Sequence, residues 1–402
     1  MKKFNRWGIA CAGILLQMAI GAVYAWSVFR VPLARQFHWT NSQVTVTFTI
    51  AILMAGLASF SGGLWSKRVG PRVVALTGSV LYGGGVFLTS FSYHGLWWLY
   101  LSYGVIAGTG VGFANIVPIA VLVRWFPERR GLLTGVVVGG FGSGALITAP
   151  LATRLMQKVG VLQTFADLGL VFLVITVVAS LFMQNPPEGW HPDGWKPSAK
   201  QLGERSAKGF TLGEALKTWQ WWALWLLLFL DTSAGISVIS QESPMFQEFA
   251  KTSALIAAGM VGVVSLGNAL GRVFWASASD LLGRRATFTL MFLLQIGLFW
   301  LFPSLHSVAS VTGVTFLILM CYGGGFGTMP ALTADYFGSA NVGSIYGLIL
   351  TAWGVATIFG ALLIAHMRQT SGSYVSGLHA IAGVMAISTI LPLLVRPPAP
   401  AR

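Results

Sequence analysis

The sequence predicts an all-α polytopic membrane protein, twelve transmembrane helices built as two six-helix pseudo-repeats. Composition, the spacing of apolar stretches and an internal similarity carry that prediction. The 402 residues are 55% hydrophobic and only 9% charged, with a mean hydropathy of +0.73. A soluble domain carries about a quarter charged residues. A membrane-crossing helix needs roughly 20 apolar residues. Twelve stretches meet that rule, near 7–29, 43–64, 73–91, 97–121, 132–152 and 165–184, then 221–241, 252–275, 286–304, 308–333, 345–366 and 374–395.

The first stretch follows Lys2 and Lys3 and so imitates a signal peptide. It is too long for one, lacks an A-x-A site and is followed by eleven more spans, so an uncleaved first helix is expected. Basic residues then set the orientation. With the N-terminus inside, 18 of the 25 Lys and Arg fall in inside segments, among them Arg6, Lys67, Arg72, Arg124, Lys196 and Arg284. Six fall in outside loops, Arg30, Arg35, Arg154, Lys158, Lys251 and Arg368, and Arg272 remains. This is the positive-inside bias, which makes both termini cytoplasmic. The net charge of +14 therefore orients the chain in a lipid bilayer and is no nucleic-acid patch.

Between the sixth and seventh spans lies NPPEGWHPDGWKPSAKQLGERSAKGFTLGEALKT, rich in Pro, Gly and charge. Its turn-forming pairs suit a linker. The expected organisation is a six-helix bundle over 1–184, a cytoplasmic linker over 185–218 and a second bundle over 219–402. The halves match at a shift of about 212 residues: Pro32 and Phe37 with Pro244 and Phe249, Gly112 and Pro118 with Gly324 and Pro330, Gly142 with Gly354. One step off, Gly70 and Arg72 match Gly283 and Arg285. Two parallel repeats place a binding site between them near the midplane, which makes a transporter the default reading.

GLWSKRVGPR (63–72) and SASDLLGRR (277–285) resemble the two copies of the loop signature of the major facilitator superfamily. Its conformational positions are here Gly70, Arg72, Asp280, Gly283, Arg284 and Arg285; Lys67 stands where the first copy usually has an acid. The stretches QMAIGAVYAWSVFRVPL (17–33), GTGVGFANIVPIA (108–120), RWFPERRGLLTG (124–135), NPPEGW (185–190), GNALGRVFWASASD (267–280), CYGGGFGTMPALTADYFG (321–338) and IYGLILTAWGVA (345–356) are more specific. Together they resemble the oxalate/formate antiporter family, bacterial relatives of the monocarboxylate transporters. That resemblance implies alternating access, a small carboxylate as substrate and a place in the bacterial cytoplasmic membrane.

Within this frame Arg272 stands out, the only formal charge between Thr252 and Ser279. A charge at the centre of a spanning helix costs ~2.5–3.5 kcal/mol on insertion scales. Snorkelling to the surface is the bland account. Asn268 and Ser265 share its face, however, and a polar stripe ending in a planar fork suits a carboxylate. In the resembling family this arginine holds the substrate, so Arg272 is the expected anion anchor.

Asp231 lies mid-span in LLLFLDTSAG and is open to two roles, a counter-ion for Arg272 or a proton carrier. Gln17 and Tyr24 share a face of the first helix, and Asn115 stands on the fourth where the family pattern commonly has tyrosine. Tyr322 and Phe326 pair on the tenth helix, Tyr346 and Trp353 on the eleventh. Each has an ordinary packing role open to it; Tyr322 and Phe326 are favoured for the pocket. Six scattered histidines make no metal spacing, and His379 is read as packed. Cys11 and Cys321 fall inside spans and imply no disulfide. GTGVGF and GGGFG lack the strand and the GK[ST] of a nucleotide loop, so no cofactor is expected and the glycines serve helix contacts.

In the resembling family, oxalate-carrying relatives add a lysine in the eleventh helix, but the corresponding stretch here, LTAWGVATIFG (350–360), has no basic residue. One buried arginine balances one carboxylate, which favours lactate, pyruvate, formate or a similar monocarboxylate over oxalate. Such acids are ionised at pH 7, so protons or a counter-anion must accompany them. A monomer is expected. An organic-cation exporter and a transporter-like sensor are the rival readings; no nucleophile–base pair suggests an enzyme.

Overall fold

Hydroxyl side chains open the helices where the apolar runs begin. Thr40 accepts from Gln43 N at 3.2 Å in a full capping box, and Ser253 accepts from Ile256 N at 3.3 Å at the matching position of the second half. Each cap contributes about 1 kcal/mol. The computed structural model describes residues 5–126, 130–187, 190, 192, 209–338 and 341–398, and these hold eleven apolar helical runs long enough to span a membrane. One of them, Gly135–Leu181, has 47 residues. At 1.5 Å per residue it would reach about 70 Å, twice a bilayer core. It breaks at Gly160, whose φ is +82°, and so makes two helices. Twelve spans result.

We number them α1 (Arg6–Phe37), α2 (Asn41–Val69), α3 (Pro71–His94), α4 (96–125), α5 (130–159), α6 (161–181), α7 (219–249), α8 (Ala254–Leu282), α9 (Arg284–Ser304), α10 (Val308–Phe337), α11 (342–371) and α12 (Val375–Leu394). Several are interrupted: α1 by a tightened turn over Ala22–Ala25, α7 at 240–241 and α11 at Leu350. The internal repeat shows in the backbone itself. Positive φ recurs 212 or 213 residues apart at His38 and Lys251, Gly70 and Gly283, and Gly160 and Gly372. These are the loops between spans 1–2, 2–3 and 5–6 of each half.

Large apolar residues remain exposed around the outside, Leu64, Val80, Val174, Phe274 and Trp300 among them. In a soluble chain this would be an aggregation hazard; here it is the lipid-facing belt. The halves touch through small residues: Gly56 of α2 lies against Gly354 of α11, Gly142 of α5 against Ala269 of α8, and Gly262 of α8 against Leu146 of α5.

Most of the basic residues expected in outside loops belong to helix ends instead. The first span runs to Phe37, so it holds Arg35 and Arg30, the latter buried, and α5 holds Arg154 and Lys158. Arg368 likewise sits in the last turn of α11, paired with Glu248 at 2.8 Å. An arginine two residues before a proline reads as a loop, but Pro32 is carried inside α1. Most of the expected linker lies outside the described residues; its end forms a short helix, Leu212–Leu216, tied to α10 by Phe210 N donating to Phe337 O at 2.9 Å.

In the second loop signature Arg284 pairs with Asp280 at 2.6 Å and Asp335 at 3.2 Å and bonds Ser279, while Arg285 donates to Pro392 O at 2.8 Å and to Leu393 O. The first copy has no such acid: Arg72 donates to Gln184 Oε1 at 2.9 Å.

Candidate functional site

Small residues decide how near the arginine helix can come to its neighbour. On α8, Gly267 and Gly271 are four apart; on α10, Gly323 and Gly327 are four apart. A Cβ at Gly267 or Gly271 would overlap the carbonyls of Phe316 or Met320. One at Gly323 or Gly327 would overlap those of Asn268 or Arg272. The two backbones therefore meet directly, through facing small-residue pairs. This presents Arg272, Tyr322 and Phe326 to one space.

There the guanidinium lies 4.9 Å from the centre of the Phe326 ring, and its Nε donates to Asn268 Oδ1 at 3.3 Å. Five aromatic rings close a circuit beside it. Tyr24 touches Phe141 (5.1 Å between centroids), Phe141 touches Trp353 (5.8 Å), and Trp353 touches Phe326 (5.9 Å). Phe326 touches Tyr322 (5.2 Å), which returns to Tyr24 at 6.1 Å. The Tyr24 and Tyr322 hydroxyls share a 2.7 Å hydrogen bond. Residues from α1, α5, α8, α10 and α11 thus meet at one point between the halves. Tyr24 reaches it because the tightened turn at Ala22–Ala25 interrupts α1 there.

The polar atoms of this space are mostly donors. Arg272 offers its fork, the two tyrosines their hydroxyls, and Trp353 an indole N–H with no partner among the described residues. None of the ion pairs among the described residues involves Arg272. Arg272, Asn268, Tyr24, Tyr322, Phe326 and Trp353 are all buried, so the site is closed to solvent. An anion with two in-plane acceptors matches such a set, and a cation does not.

Not every expected residue joins. Gln17 Nε2 donates to Asn115 O at 3.1 Å and so ties α1 to α4; no described contact links either residue to Arg272. His379 stacks on Trp300 at 4.4 Å, a packed position.

The expected pairing of Asp231 with Arg272 does not form. Asp231 Oδ1 accepts from Gln295 Nε2 of α9 at 3.0 Å, and Oδ2 has no partner among the described residues. Its carboxylate lies against Gly325. At 100° per residue, Gly325 faces about 200° away from Gly323 and Gly327. That places the acid on a different side of α10 from the Arg272 backbone; the guanidinium itself lies over Phe326, about 100° round the helix from Gly325, and no ion pair joins it to Asp231 among the described residues. Sequence reasoning missed Gln295, a lone amide in an apolar span, and Phe141, which carries no signal beyond its type.

The chain belongs to the Major Facilitator Superfamily, whose family profile matches residues 9–361, with a second match over 244–402. It is accordingly a multi-pass membrane transporter and not an enzyme. Among relatives, it is 27% identical over 375 residues to the oxalate:formate antiporter of Oxalobacter formigenes, covering 92% of this chain and 86% of that one. It is 24% identical over 401 residues to the apicoplast pyruvate carrier 1 of Toxoplasma gondii, covering 84% and 71%. Among solved structures it is similar to a bacterial homolog of the human lysosomal transporter Spinster. The TM-score is 0.71 and the identity 14%, over 98% of this chain and 96% of that one, which shows the fold alone.

Proposed function

We propose that this protein carries small monocarboxylates such as lactate, pyruvate or formate across the bacterial cytoplasmic membrane. Two bundles, residues 1–184 and 219–402, rock around Arg272 to expose it to one side and then the other. One observation carries the reading: a buried arginine, unpaired with any described acid, sits among hydroxyl and indole donors at the meeting of the halves. Buried charges are normally paired, and a carboxylate supplies the missing partner on each turnover.

Relatives that move oxalate and formate, or pyruvate, support the class of cargo. The choice of one carboxyl over two rests on α11, where residues 350–360 bring Trp353 to the site and no second cation. Exchange of carboxylates including oxalate is the alternative within the same class. An organic-cation exporter is disfavoured, since Asp231 is held by Gln295 and no described contact joins it to the aromatic circuit, whose polar atoms are mostly donors. Electroneutral movement calls for a proton or a counter-anion; for a proton, Asp231, with one oxygen unpartnered, is the candidate carrier.

Uptake of labelled lactate, pyruvate, formate and oxalate into proteoliposomes, with and without an inward pH gradient, tests the reading. Monocarboxylate uptake that rises with the gradient is expected. Oxalate as the preferred substrate, or uptake of organic cations alone, overturns it.

A further inference from the structure

Six residues beyond Tyr24, and so about 9 Å further along α1, lies a second buried cation. Arg30 is 2% exposed. Its Nη2 donates to Tyr374 Oη at 3.0 Å, while Nε and Nη1 have no partner among the described residues. Tyr374 Oη donates in turn to Gln241 Oε1 at 3.1 Å, and Gln241 Nε2 donates to Thr45 Oγ1 at 3.1 Å. The chain of bonds thus runs from α1 to the segment before α12, to the break in α7, and back to α2. It crosses between the halves twice.

Burial raises the Tyr374 phenol above its usual pKa, although the nearby Arg30 and Arg368 guanidinia oppose this, so it stays a neutral donor. Glu242, next to Gln241, forms no ion pair with Arg30, and Glu248 is held by Arg368. A buried guanidinium with two idle nitrogens and no counter-ion is costly unless something else pairs with it.

We infer that Arg30 is a second anion-binding residue, one that takes the carboxyl group of the cargo between Arg272 and the end of the bundle bearing residues 38–40 and 250–253. This rests on the carboxylate reading above. In the closed arrangement the bonds to Tyr374 and from Gln241 to Thr45 hold this end shut. Parting the halves here breaks both and leaves the whole fork of Arg30 facing the opening. An arriving carboxylate then pairs with Arg30 before it reaches Arg272. Basic residues place this end outside, so Arg30 serves uptake.

The test uses the purified full-length protein and formate, the smallest carboxylate, with chloride at equal concentration as the control for ionic strength. Formate should raise the thermal unfolding midpoint of the wild type. Arg272→Gln should keep part of that rise, and Arg272→Gln with Arg30→Gln should lose it. Arg30→Gln alone should raise the half-saturating concentration for uptake from the outside about tenfold, the scale of a lost charged hydrogen-bond pair. Tyr374→Phe, which removes a latch but leaves the guanidinium, should keep the formate response. If Arg30→Gln does not fold, Arg30→Lys should give an intermediate response, and an unchanged one overturns the proposal. It is likewise overturned if Arg272→Gln and the double variant behave alike, if Tyr374→Phe acts like Arg30→Gln, or if formate does not shift the wild type. Should Arg30→Gln remove the whole response while Arg272→Gln removes none, the central anchor is wrong and the Arg30 site stands.

Discussion

In the proposed site, Arg272 and Trp353 would divide the recognition of a carboxylate between charge and direction. A guanidinium presents a planar pair of donors, whereas an ammonium is a point charge. Arg272→Lys should therefore fold but transport at least about tenfold more slowly, and Arg272→Ala should abolish uptake, measured as initial rates in proteoliposomes. Near-normal uptake by the alanine variant would remove Arg272 from the site. Trp353 touches both Phe141 and Phe326 and keeps its indole N–H unpartnered. Trp353→Phe keeps the ring but removes that donor, worth about 1 kcal/mol. The half-saturating concentration should rise about fivefold with little change in unfolding temperature. An unchanged value would make Trp353 a wall and no ligand.

At the level of helices, glycines do two separate jobs that can be pulled apart. Gly271 lets α8 meet α10 inside one half, where a Cβ would overlap Met320 O. Gly354 lets α11 meet α2 across the halves, where a Cβ would stand 3.0 Å from Leu53 Cα. Overpacking a tight contact costs typically ~1–3 kcal/mol. Gly271→Ala should thus lower the unfolding midpoint. Gly354→Ala should leave it nearly unchanged and slow transport instead, because it obstructs a surface that slides. The opposite pattern in paired stability and uptake measurements would show that α2 and α11 do not move past each other.

For the whole molecule, the proposed proton coupling raises the question of how a proton and the cargo would be linked. The acid lies against Gly325 of α10, whereas the guanidinium lies over Phe326, about 100° further round that helix. Among the described residues no ion pair joins them, and Asp231 is held instead by Gln295 of α9. Protonation of Asp231 would act on the packing of α7, α9 and α10, and through α10 on the site. Asp231→Asn, which mimics the protonated group, should abolish accumulation driven by a pH gradient yet retain exchange of carboxylate across the membrane. A variant that still concentrates lactate would reduce Asp231 to a structural role. Lactate should also outcompete oxalate for uptake, since α11 adds no second cation.

Hydropathy, the spacing of basic residues and the shifted matches between halves were enough to set the helical class and the twelve spans. Those signals are local: apolar length and charge act one segment at a time, whatever the segment packs against. Arg272 was legible for the same reason, as a lone charge in apolar sequence. Its companions were legible only as types. Tyr24, Tyr322, Phe326 and Trp353 meet because α1, α10 and α11 converge, whereas Gln17 turns to Asn115 O and leaves the group. Arg30 was hidden by the proline two residues on, and its burial depends on Tyr374, 344 residues away. Asp231 looked like a partner for Arg272 because both are charged and mid-span. Which faces of three helices turn toward each other is a matter of packing between segments far apart in the chain, and hydropathy has no term for it.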